Sequence, residues 1–133
     1  MQKSLLAVLI LAPLFQGCVA AGVGLVAGGV LLGQEVLDQS TYVARLDVDV
    51  NTTWSTTKTT LSHMSTKPID TDEQLRSATA DIDSGSVVAS VETYDLNRSV
   101  LKVSAKKYGV VNGALAKSVY DRILNDLDAN AKK

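Results

Sequence analysis

A chain of 133 residues, 46% hydrophobic and 20% charged, is long enough for one modest domain behind a leader and too short for two. Its 13 cations against 14 acids form no basic stripe that could neutralise phosphates, so no nucleic-acid partner is expected. A lone cysteine, Cys18, excludes an intramolecular disulfide, and a lone histidine, His63, leaves a zinc site without a ligand set.

The N-terminus has the layout of a bacterial secretion signal. Lys3 supplies the positive charge, Leu5 to Phe15 the apolar run, and Gly17 the small residue before a cut. Leu14-Phe15-Gln16-Gly17-Cys18 resembles a lipoprotein box, although Phe15 stands where Leu is favoured and Gln16 is large for its place. Cleavage before Cys18 would let its thiol carry acyl chains, and two or three chains give stable membrane anchoring at about 0.8 kcal/mol per buried methylene. The competing reading is an ordinary secreted protein cut after Ala20 or Ala21. Pro13, Gln16 and the glycines argue against an uncleaved spanning helix. Residues 1–17 are therefore expected to be a signal peptide, 18–39 a lipid anchor with an apolar segment and linker, and 40–133 a periplasmic domain. Val19 rather than Asp after Cys18 points to the outer membrane, facing the periplasm.

Val19 to Leu32 carries no charged side chain. Gly24 and Gly28, and again Gly29 and Gly33, stand four apart, a spacing that on a helix gathers small residues on one face for self-association. The alternative is an apolar spacer, since about 21 Å of helix falls short of a membrane core of roughly 30 Å. Gln34 to Gln39 is expected to be a linker or the end of that helix.

The domain follows. Thr41 to Val48 alternates as a strand. Asn51 offers an N-cap for a helix placing Trp54, Thr57, Leu61 and Met64 on one face, despite many β-branched threonines. A short extended piece lies near Ile69. Leu75–Asp83, Val87–Asp95 and Ser99–Lys107 alternate as strands, separated by a Ser84-Gly85 turn and a Leu96–Arg98 turn; together they predict an antiparallel meander. Tyr108 to Gly113 is expected to be a loop. Ala114 to Asn130 is the clearest helix, with Leu115, Val119, Ile123 and Leu127 in one stripe, widened by Ala116, Tyr120 and Leu124. The order β-α-β-β-β-α predicts an α+β fold, with a three- to five-stranded antiparallel sheet and two helices on one face.

Cys18, the glycine-rich stretch from Gly22 to Gly33, Thr41-Tyr42, Trp54, and the helix bearing Tyr120, Ile123 and Leu127 together resemble a family of small bacterial lipoproteins known only as a domain of unknown function. The resemblance spans nearly the whole chain and implies location and fold rather than chemistry. The threonine-rich first helix departs from that pattern.

No catalytic constellation stands out. Asp70, Asp72 and Glu73 lack the ligand spacing and glycine of a calcium loop. Asp81, Asp83 and Glu92 are expected to be solvating acids on an open sheet face. No Gly-x-Ser-x-Gly elbow occurs, and no phosphate-binding glycine loop follows a strand. The expectation is a non-enzymatic, membrane-anchored envelope module without metal or cofactor. It would meet an envelope protein or the cell wall through an open sheet face or edge strand. Two alternatives stand beside it: a small-ligand binder with a groove lined by Tyr42, Trp54 and Tyr120, and a membrane-associated oligomer built on the glycine segment.

Overall fold

Residues 30–38 and 40–133 are described by a computed structural model. Alternating apolar residues build strands β1 (Leu31–Leu37), β2 (Thr41–Leu46), β4 (Ser77–Ile82), β5 (Gly85–Thr93) and β6 (Ser99–Lys107). Two short strands complete the sheet, β3 (Asp70–Asp72) and β7 (Val110–Val111). Helices α1 (Val50–Met64) and α2 (Gly113–Ala131) follow β2 and β7. The fold is α+β: one antiparallel sheet in the order β1-β2-β6-β5-β4-β3, with β7 also on β6. Among the described residues the sheet has seven strands, more than the three to five expected.

The period of two sorts the strands into a buried and an open face. Ala44 and Leu46 of β2, Ala78, Ala80 and Ile82 of β4, Val87, Ala89 and Val91 of β5, and Leu101, Val103 and Ala105 of β6 are buried. Both helices pack on this face. The α2 stripe Leu115, Val119, Ile123 and Leu127 is buried with Ala116, Tyr120 and Leu124, as its spacing predicts. The α1 helix brings Trp54 and Leu61 to the same core, flanked by buried Thr53, Thr56, Thr57 and Thr60.

Several local expectations change. Residues 34–37 are neither linker nor helix end, because β1 pairs with β2 from Leu31↔Leu46 to Leu37↔Thr41. Gly33 lies in that strand, so it does not share a helical face with Gly29. The cap of α1 is Asp49, not Asn51: its carboxylate accepts from the Thr52 amide at 2.9 Å and the Thr52 hydroxyl at 2.6 Å. The β4–β5 turn falls at Asp83-Ser84, with φ of 51° and 60°, rather than at Ser84-Gly85. Gly85 begins β5, where a Cβ would lie 2.5 Å from Leu115 Cδ2 and 2.9 Å from the Lys106 carbonyl oxygen. The expected 108–113 loop instead contains a two-residue turn at Tyr108-Gly109, both at positive φ, which returns the chain as β7. Asn112 then caps α2, accepting from the Leu115 amide at 2.9 Å.

Cys18, Gly24, Gly28 and Gly29 lie outside the described residues. No helix among the described residues is long and apolar enough to cross a membrane.

Candidate interaction surface

Of the aromatic residues that could border a groove, Trp54 and Tyr120 are buried in the core and Tyr42 is half-buried against it. Tyr120 is fully buried and stacks at a tilt on Tyr42, with ring centroids 5.5 Å apart. Burial pushes the Tyr120 phenol above its ordinary pKa, with the nearby Asp121 charge adding to the shift. Trp54 is buried at the other helix, and its Nε1 donates to Glu73 Oε2 at 2.7 Å. Lys58 lies 5.0 Å from the Trp54 ring centroid and reaches Glu73 at 2.8 Å. Those two bonds, from Lys58 first and Trp54 second, hold the Glu73 carboxyl below its usual range. Glu73 thus ties α1 to the β3–β4 turn. None of five clefts on the described surface is lined by Tyr42, Trp54 or Tyr120.

A cleft of about 360 Å³ between α1 and α2 is lined by Thr56, Thr60, His63, Arg122, Asp126 and Asn130 among others. Its polar groups engage one another. Thr60 donates to Asp126 at 2.7 Å, Asn130 to Thr56 at 3.3 Å, and Arg122 lies 3.4 Å from Asp126. The threonines of α1 therefore make a hydrogen-bonded seam with α2. A similar chain fixes the start of α1 to β6. Ser99 donates to the Val48 carbonyl at 2.7 Å, which leaves the buried Thr53 hydroxyl to donate to Ser99 Oγ at 2.7 Å.

The remaining acids are spread out. Asp72 accepts from the Gln74 and Leu75 amides, which shapes the β3–β4 turn. Asp81 pairs with Lys67 at 3.3 Å, Asp83 with Lys107 at 3.8 Å, and Glu92 with Lys102 at 2.8 Å. Asp83 sits in a turn at φ 51° rather than on the strand face with Asp81. No three His, Cys, Asp or Glu residues gather as a metal set among the described residues.

No described helix packs on the sheet face opposite the buried one. Its β2 and β1 end carries Val43, itself buried, and exposed Arg45 beside Glu35 and Gly33, their cross-strand neighbours. These residues, with Gln34, border a shallow dent of about 170 Å³. A Cβ at Gly33 would touch nothing within 4 Å, so the dent is open above the backbone. At this edge β1 pairs with β2 and with no other described strand. Leu32, Val36 and Leu37 are each at least 40% exposed. Strand edges usually carry proline, lysine or extreme shortness against unwanted pairing. The seven residues of β1 contain neither proline nor lysine; a single charge, Glu35, and a register shift between Leu31 and Gly33 are its interruptions. At the opposite edge β3 is three residues long and carries Asp70 and Asp72.

This strand is hidden in the sequence, because Leu31 and Leu32 continue the apolar run before them and Gly33 interrupts the alternation. The available signal was the Glu35-Val36-Leu37 segment facing the Thr41–Leu46 strand across a short turn. No protein-family model matches the chain, and no curated protein matches it.

Proposed function

We propose that this chain is a lipid-anchored protein of the bacterial cell envelope whose α+β domain is a non-enzymatic contact module. The observation that carries the contact role is β1, a seven-residue edge strand that exposes Leu32, Val36 and Leu37 and whose outer side pairs with no described strand. The strand also lies near the proposed anchor. Only residues 19–30 separate Cys18 from β1, a reach of at most about 40 Å when fully extended. An anchor at Cys18 would thus hold the edge strand close to the membrane that carries it. Engagement would be by strand addition, in which backbone bonds supply affinity and alternate side chains supply specificity.

The core packing of Trp54 and Tyr120, with Tyr42 half-buried against Tyr120, favours the contact reading over a ligand groove.

Intact mass spectrometry of the membrane-fraction protein, beside a Cys18→Ser variant, tests the anchor. The expected result is an acylated chain beginning at Cys18, with the variant shifted to the soluble fraction. An unmodified chain beginning at Ala21 would overturn it.

A further inference from the structure

We infer that the partner taken by β1 is a second copy of this chain, joined antiparallel by β1–β1 pairing about a two-fold axis at Gln34. The inference rests on the reading of β1 as the contact strand.

The pattern of the strand is self-complementary about its middle. With Gln34 opposite the partner's Gln34, Gly33 faces the partner's Glu35, and Leu32, the residue at which the β1–β2 register shifts, lies beside the partner's Val36. Exposed apolar side chains thereby meet each other, and the two glutamates are kept off directly opposed positions, where like charges destabilise a sheet. A two-fold perpendicular to the sheet is the closed symmetry that such an isologous edge contact requires. It keeps both helix layers on one side.

Charge complementarity favours the same arrangement. Glu35 and Arg45 are both exposed, and neither forms an ion pair among the described residues. Gly33 lies directly opposite Arg45 in the β1–β2 register. In the dimer the partner's Glu35 lies on the far side of Gly33, two strand spacings or about 10 Å from Arg45 between Cα atoms. Extended glutamate and arginine side chains span that gap. The missing side chain at Gly33 leaves the path open, since nothing lies within 4 Å of its Cβ position. The symmetry repeats the pair, so two otherwise unpaired cations and two unpaired anions neutralise one another across the new edge.

The test is disulfide crosslinking in native membranes, using the full chain with Gln34→Cys. Antiparallel neighbours at a directly opposed position lie about 4.5–5.5 Å apart between Cα atoms, within disulfide range. Wild type controls for Cys18, and Leu75→Cys, on the exposed β3–β4 turn, controls for crowding. The expected result is a covalent dimer from Gln34→Cys alone. Adding Glu35→Arg or Arg45→Glu singly should reduce it at least several-fold, and combining the two should restore it. No Gln34→Cys dimer, equal dimer from Leu75→Cys, or charge reversals without effect would each overturn the inference. A different protein strand on β1 would still slow exchange of its outward amides while yielding no such dimer, which separates failure of the homodimer from failure of the contact role.

Discussion

Two buried hydroxyls, Thr57 Oγ1 and Tyr120 Oη, have no hydrogen-bond partner among the described residues. An unpaired buried polar group is costly, whereas replacing it by an apolar group of the same shape is neutral or stabilising. Thr57→Val and Tyr120→Phe should therefore each raise the unfolding free energy, by about 1 kcal/mol, in urea titrations. Thr53→Val should lower it by about 1 kcal/mol, because its hydroxyl is engaged with Ser99. A loss of stability in the first two variants would contradict this account of the core. The charged residues make a separate prediction. Asp49 is held below the usual carboxylate range by the Thr52 side chain and amide, and Asp95 by Arg98. Glu73 is held low by Lys58 and Trp54. For a depressed carboxyl the unfolded chain binds more protons in the acid window, so stability is present above the ordinary value near 4 and lost as pH falls through the lower folded values. Urea midpoints measured from neutral pH down to about pH 2.5 should decline over that window. Asp49→Asn, which keeps a capping oxygen without the charge, should decline less steeply.

At the scale of elements, legibility followed periodicity. The α2 stripe and the alternation of β4, β5 and β6 stood out because one face of each is buried and the other is not. Alternation carried less information at β1, where Leu31-Leu32-Gly33 breaks the pattern next to an already apolar stretch. Turn positions were blurred for another reason. The sequence invites a turn at Gly85, but the glycine is needed for close approach to Leu115, and Asp83-Ser84 adopts the left-handed conformation instead. Gly85→Ala should accordingly destabilise the domain by about 1–3 kcal/mol, as overpacking typically does. A thermal melt unchanged from wild type would show that the α2–β5 contact has more room than the structure gives it. The threonines of α1 were legible as poor helix formers but not as a seam, because their partners Ser99, Asp126 and Asn130 lie 46 to 74 residues away in sequence.

For the whole molecule, the topology determines which surfaces remain available. Two helices cover one sheet face, β3 is short and acidic at one edge, and β7 fills out the end of β6. What is left among the described residues is the open face and β1, and β1 is the described element nearest in sequence to Cys18. That arrangement was not legible in advance, because edge position is a property of strand order rather than of any strand's own residues. The aromatic placement depends on tertiary packing in the same way: Tyr42 and Tyr120 meet between β2 and α2, while Trp54 donates to Glu73 in the β3–β4 turn.

Hydrogen exchange of the Leu31–Leu37 segment tests the contact role of β1 most directly, comparing the chain in native membranes with a dilute, detergent-dispersed sample. Amides bonded to β2 should be slow in both. The outward amides should be slow only in membranes, where the proposed partner strand covers them. Equal, fast exchange of those outward amides in both samples would show that β1 stands uncovered in the envelope and would contradict the account.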